Sequence, residues 1–330
     1  MSTTYHLKST PDTVRFGIFD AAFPPVLSIR PGDQVVVACV SGGPEVMPEP
    51  SAGFRVPAPL AAIHAAHLPR MGPHILTGPI AIRGAEPGDL LEVQIERVES
   101  NLDWGYCAYR PLAGALPEDF PERMVSHLAI DRQAGLCHPP WGGSLPLAPF
   151  FGTMGVAPPA IYGALSSREP REHGGNLDNK ELRAGTSLFL PVWVEGACFS
   201  VGDGHGRQGD GEVCVNALET GLTGTFRFVV HKGAGRLRRP IGRTSDHWVV
   251  MELDEDLDLA MKQAVREAID LICRETGLTR GQAYQLCSLA IDFRVTQVVN
   301  GVKGVHGMID RALLDGCRAH AVVHRTSTAS

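Results

Sequence analysis

Pro79-Ile-Ala-Ile-Arg-Gly-Ala-Glu-Pro-Gly-Asp-Leu-Leu-Glu-Val-Gln-Ile95 places two runs of alternating apolar residues on either side of a Pro87-Gly-Asp89 turn. Period-two alternation puts every second side chain on one face of a strand. Two such runs joined by a glycine-aspartate turn read as a β-hairpin. The pattern occurs twice more. Val26-Leu-Ser-Ile29 leads through Pro31-Gly-Asp33 into Val35-Val-Val37, and Pro191-Val-Trp-Val194 leads through Gly196-Ala197 to a turn at Val201-Gly-Asp203. With 37 glycines and 25 prolines in 330 residues, well above average usage and without a collagen period, the chain reads as many short strands joined by tight turns.

From Asp256 the period changes. Leu257, Met261, Ala264, Val265, Ala268, Ile269 and Ile272 follow helical spacing, and Gly277 is placed to stop the helix. Thr279-Arg-Gly-Gln282 matches a capping box for a second helix through about Ile291. Strand character returns from Phe293 to Val299, and Asn300-Gly301 offers a tight turn. The expected architecture is mainly β: a jelly-roll-like β-sandwich carrying a helical hairpin at about 256–291, α+β overall. No linker interrupts it, so residues 1–330 are expected to form a single domain.

Composition narrows the function. The net charge is −6 and the basic residues are scattered, so no stripe supplies a phosphate footprint and nucleic acid is not an expected partner. No run approaches the roughly 18 apolar residues of a membrane-spanning helix. Met1-Ser-Thr-Thr-Tyr-His6 has neither a basic nor an apolar leader region, which predicts a cytoplasmic protein. The eight cysteines form no C-x-x-C pair, as expected for reduced core thiols rather than a zinc knuckle or disulfide scaffold.

Chemistry concentrates in Gly202-Asp-Gly-His-Gly-Arg-Gln-Gly-Asp-Gly-Glu212. Aspartate, histidine and glutamate this close can bind a divalent metal or share proton transfer. The plain alternative is a solvated glycine-aspartate turn. Apolar neighbours on both sides, Cys198-Phe199 and Val213-Cys-Val215, favour a loop emerging from buried strands, with Glu212 the last loop residue before the next strand. In His173-Gly-Gly-Asn-Leu-Asp178, Asn176 and Asp178 are two apart and face the same way if extended, although Asp178 alone can equally close a turn. His74 stands just ahead of Thr77-Gly78-Pro79. Serine elbows, Walker loops and G-x-G-x-x-G units are missing, which argues against a serine hydrolase and against nucleotide binding.

The ordered segments His74-Ile-Leu-Thr-Gly-Pro79, Gly84-Ala-Glu-Pro-Gly-Asp89, Gly152-Thr-Met-Gly-Val-Ala-Pro158, His173 to Asp178, Leu190-Pro-Val-Trp-Val-Glu-Gly196 and Phe199 through Cys214 resemble the acetamidase/formamidase family. His231-Lys232, Arg238-Arg-Pro240 and Ala283 through Ser288 also fit, so the resemblance runs from about 26 to 300. Ser41 to His67 and the tail Val302 to Met308 depart from it. The resemblance implies hydrolysis of a short aliphatic amide to carboxylate and ammonia, with a divalent ion, zinc or else calcium, as cofactor. Carried over by position, His74, Asp203 and His205 are the expected metal ligands. Glu212, Asp210 and Gln208 are the expected catalytic groups, and Asn176, Asp178 and His173 the substrate-binding ones. The partner is then a small amide, and a homo-oligomer is expected. The competing reading is a non-catalytic sandwich that binds a small molecule or carbohydrate through a cation-containing loop and exposed tryptophans such as Trp104 and Trp141.

Overall fold

The computed structural model describes residues 2–235 and 237–318. Its largest element is a nine-stranded sheet with spatial order Thr4–Lys8, Gln34–Ala38, Leu222–His231, Leu90–Ser100, Thr186–Pro191, Ile241–Arg243, His247–Asp254, Val302–Asp310 and Asp292–Asn300. A six-stranded sheet faces it. Its order is Gly174–Asn176, Phe150–Gly155, Phe199–His205, Ile75–Ile82 and Val14–Phe16, with Leu27–Ile29 also paired to Ile75–Ile82. The main core lies between the two: Val35, Val93, Leu188, Phe226 and Phe228 from one sheet meet Ile80, Phe151, Met154, Phe199 and Val201 from the other. Phe226 sits 5.5 Å from Phe151 and 5.9 Å from Phe199, ring centre to ring centre. The chain is therefore the mainly β sandwich that the alternation implies.

None of the three alternating pairs closes as a hairpin, however. Leu27–Ile29 runs parallel to Ile75–Ile82, whereas Gln34–Ala38 pairs with Thr4–Lys8 and Leu222–His231 in the opposite sheet. Ile75–Ile82 and Leu90–Ser100 are likewise divided between the sheets, as are Thr186–Pro191 and Phe199–His205. Each connection is an arch across the sandwich. Alternation fixes which face of a strand is buried but not its ladder partner, and a strand that crosses over buries the same face against the opposite sheet. The aspartates of the first two turns close the corners. Asp33 accepts from the amides of Arg30 and Thr3 at 2.9 and 2.8 Å, and Asp89 from Glu86 and Gly233 at 2.9 and 3.0 Å. The third expected turn is not a turn: Gly202 and Asp203 lie within the strand Phe199–His205.

The helices form where the spacing predicts. Asp256 caps Leu257–Thr276 through the amide of Leu259, and Gly277 ends it at φ 76°. A Thr279–Gln282 capping box starts Arg280–Ala290. Both pack on the outer face of the nine-stranded sheet, where Ala268, Ile272, Ala283 and Cys287 cover Val250 and Ile309. Val249, one residue away, faces the sandwich core instead, as the pleat requires. The helix Ala58–Ala65 inside the divergent 41–67 segment was not expected. Its Pro59 stands in the first turn, where no amide proton is needed.

Trp104 is not an exposed binding platform. It is 1% exposed and donates its indole N–H to the Arg55 carbonyl at 3.0 Å, while Trp141 does face solvent. The 41–67 segment covers the strand face that carries Trp104. The eight cysteines are free thiols.

Phe226→Ala removes a fully buried ring that touches both sheets and should cost about 3–5 kcal/mol in urea unfolding. Tyr284→Ala, on an exposed helix face, should stay within about 0.5 kcal/mol.

Candidate functional site

The strand Phe199–His205 carries both the core and the site. Phe199 and Val201 pack into the sandwich core, and at its end Asp203 and His205 line a cavity of about 550 Å³. The strand sits between Phe150–Gly155 and Ile75–Ile82. Two glycines permit its close packing: a side chain at Gly202 would strike the Ile75 carbonyl, and at Gly204 the Thr220 carbonyl. Asp203 adopts φ 60°, a left-handed conformation that costs little in aspartate and asparagine but remains uncommon.

Around His205 the carboxylates converge. Its Nε2 lies 3.2 Å from Glu219 Oε1, 3.4 Å from Asp203 Oδ1 and 3.9 Å from Asp178 Oδ1. Asp178, Asp203 and His205 each place a ligand atom within 4.8 Å of the others, and so do His205, Glu212 and Glu219. On the opposite side of the ring, His205 Nδ1 sits 2.9 Å from Gln208 Oε1. A carboxamide oxygen only accepts, so Nδ1 carries the proton. The Gln208 amide nitrogen in turn donates to the Asp178 carbonyl at 2.7 Å. Gln208 therefore fixes the ring with Nε2 toward the carboxylates.

The remaining groups complete the cavity floor. Asn300 donates to Asp178 Oδ2 at 2.5 Å, while Asp178 Oδ1 and Glu212 Oε2 are buried with no protein partner among the described residues. The Thr153 hydroxyl lies 2.9 Å from Asn176 Oδ1 and 3.1 Å from Asp203 Oδ2. His74 lies at the cavity wall, its Nε2 3.6 Å from Asp203 Oδ2 and its Nδ1 2.8 Å from the Ser167 hydroxyl. It belongs to neither ligand group. Glu219 accepts from the Ala217 amide at 3.2 Å, and its backbone pairs with Tyr106.

Burial sets the charges here. It pushes the carboxyls of Asp178, Glu212 and Glu219 up, most strongly Glu212, which also faces the charge of Asp178. Burial would lower the His205 imidazole, but Glu219 and Asp203 outweigh it and hold the ring well above its ordinary value. At Asp203 burial is likewise overcome, by His74 and His205, and its carboxyl falls below the usual range.

The expected site residues thus separate. His74, Asn176, Asp178, Asp203, His205 and Glu212 line the cavity. Gln208 stands behind His205 rather than on the cavity wall. Asp210 lies outside, paired with Lys180 at 2.8 Å. His173 is fully buried against Phe19, ring centres 4.9 Å apart, and does not reach the cavity. Its neighbours Gly174 and Gly175, both at φ 91°, bend the segment so that only Asn176 and Asp178 enter. Glu212 is buried at φ 46°, yet no strand follows it: the chain turns at 213–215, Val213 is exposed, and strand resumes only at Leu222. What places Glu212 is Gly211, whose amide donates to the Thr296 carbonyl and whose carbonyl accepts from the Val298 amide. Arg207, five residues before Glu212, donates to the Pro146 carbonyl. Glu219, Asn300 and Tyr106 were missed. The one local hint was Glu219, a lone acid in the otherwise uncharged Ala217-Leu-Glu-Thr-Gly221.

Fold and site together define a mainly β sandwich with a buried carboxylate–imidazole centre at the floor of an open cavity. The chain belongs to the acetamidase/formamidase family, whose profile matches residues 13–169 and 162–305. It is 30% identical over 242 residues to a formamidase from Methylophilus methylotrophus, a match covering 58% of this chain and 57% of that one. The match thus spans just over half of that relative's length. An acetamidase from Mycolicibacterium smegmatis is 30% identical over 291 residues, 64% of this chain and 71% of the other. The crystal structure of an acetamidase from Bacillus halodurans superposes with a TM-score of 0.81 at 28% identity, covering 94% of this chain and 99% of that one.

Gln208→Leu would strip the buried His205 Nδ1 and the Asp178 carbonyl of their partners. We expect a loss of about 2–3 kcal/mol in unfolding free energy, read by urea titration. A loss under half a kcal/mol would show that Gln208 does not hold the ring.

Proposed function

We propose that the protein hydrolyses the carbon–nitrogen bond of a linear amide to a carboxylate and ammonia, at a divalent cation held by Asp203, His205, Asp178 and Glu219, with His74 flanking Asp203. The observation that carries this reading is the space left by Gly152. A Cβ there would lie against Asp178 Oδ1, 2.6 Å from Asp203 Oδ2 and 2.8 Å from His205 Cε1, so glycine keeps open the point on which those side chains converge. The unpartnered Asp178 Oδ1 faces that point. With Nδ1 donating to Gln208, Nε2 faces the carboxylate oxygens either as the N–H of an imidazolium that they stabilise or, where a cation takes that proton's place, as a lone pair that binds it. Mixed carboxylate and imidazole donors suit zinc, the ion we favour, and also calcium or manganese to a lesser degree. Bound there, a divalent ion supplies Lewis acidity that brings the pKa of water toward ~7.

The chain's own residues then have separable tasks. Glu212, whose carboxyl burial and the charge of Asp178 push up, is placed to hand a proton to the departing nitrogen, which cannot leave as an amide anion. Gln208 fixes the His205 tautomer. Thr153 and Asn300 orient Asp203 and Asp178, and Asn176 sits where a substrate amide enters. Free thiols at all eight cysteines suit the reducing cytoplasm in which we place the enzyme.

Incubation with formamide, acetamide and propionamide should release ammonia; a silent panel counts against the reaction. Chelator-stripped protein should lose turnover and regain it with zinc, whereas full activity without metal would sink the cation's role. Gly152→Ala should reduce bound metal, measured by elemental analysis, in a protein whose circular dichroism is unchanged. Glu212→Gln keeps the shape but carries no proton, so kcat should fall by roughly 10²–10⁴-fold at unchanged metal content. Near-normal turnover would make Glu212 structural.

A further inference from the structure

The cavity is larger and differently charged than a two-carbon amide requires. At about 550 Å³ it falls in the range of pockets that enclose ligands of many atoms. Its floor holds the buried carboxylates. Its wall nearer solvent is lined by Arg70, Arg110, Arg123 and Arg168, all exposed, and by one exposed acid, Glu45. In a chain of net charge −6, this concentration of cations around one opening runs against the overall sign.

The chain's own carboxylate shows what one of these arginines binds. Arg70 reaches Glu45 Oε1 at 3.3 Å, and Arg123 donates to the Glu45 carbonyl at 2.7 Å. Burial would raise the Glu45 carboxyl, yet the charges of Arg70 and Arg123 help to hold it below its ordinary value. Among the described residues, Arg110 and Arg168 have no carboxylate partner, so one acid is set against four guanidinium groups. Guanidinium is the side chain best matched to a carboxylate, since it offers paired N–H donors in a planar fork. Glu45 belongs to the divergent 41–67 segment, whereas the four arginines lie outside it.

We propose that the substrate is an amide that also bears a carboxylate, a monoamide of a dicarboxylic acid, whose anion is held at the arginine-lined opening while its amide reaches the floor. This deepens the amidase reading and rests on it. Arg110 and Arg168 are then specificity-determining residues. A neutral amide of the same length forgoes the charge-assisted hydrogen bonds at the opening, a difference of about 10- to 100-fold for one such contact.

The test compares the monoamides of malonic, succinic and glutaric acid with propionamide, butyramide and valeramide. We expect kcat/KM for the best monoamide to exceed that of its uncharged counterpart by at least about 10-fold. The ratio should shrink as salt is added, because exposed charges are screened. In the Arg110→Gln/Arg168→Gln double variant it should fall toward one, chiefly through KM. Equal kcat/KM for charged and uncharged amides, or an unchanged ratio in the double variant, overturns the proposal. If no amide of either kind is hydrolysed, the amidase reading itself fails, and calorimetric titration with succinamate and butyramide decides the remainder. Succinamate binding that is lost in the double variant supports a carboxylate site at the opening. Absent binding, or equal binding of the two ligands, removes it.

Discussion

Burying four carboxylates beside one imidazole is the constraint on which the rest of this molecule depends. Asp178, Asp203, Glu212 and Glu219 are each no more than 6% exposed, and all approach His205. In a medium of low dielectric, like charges at such separations repel by several kcal/mol, and each pays a desolvation penalty as well. Such a cluster persists only if protons or a cation neutralise part of it and rigid surroundings prevent its escape to water. The sandwich supplies that rigidity. The strand that ends in Asp203 and His205 begins with Phe199 and Val201 in the main core, so moving the charged end would unpack the apolar one.

The same constraint explains why the site draws on so many distant segments. Asp203 and His205 come from one strand, Asp178 from the bend after Gly175, Glu219 from a bridge to Tyr106, and Asn300 from the turn of the last hairpin. Arches that cross from sheet to sheet deliver them to one end of the sandwich, and each arch needs its own corner, closed twice by an aspartate bonded to backbone amides. Gly152 marks the centre of the arrangement, since that strand passes closer to the ligand atoms than any side chain would allow.

The sequence by itself determined the strand-rich class, the buried faces of the strands, the two helices Leu257–Thr276 and Arg280–Ala290 with their caps, and the polar segment from Asp203 to Glu212. All of these are local: they depend on period, turn chemistry and capping residues a few positions apart. The tertiary structure alone decided whether alternating strands paired as hairpins or crossed as arches, because both choices bury the same faces. It also decided which polar residues met. Asp210 and Glu212 are near neighbours in the same glycine-rich stretch, yet one pairs with Lys180 at the surface and the other is drawn inward by the bonds of Gly211 to the strand Asp292–Asn300. His173 carried the same local promise as Asp178 and was turned into the core, whereas Glu219 carried almost none and became a neighbour of His205. Spacing along the chain can gather ligand-type residues, but only long-range pairing between strands sets which of their atoms share one small volume.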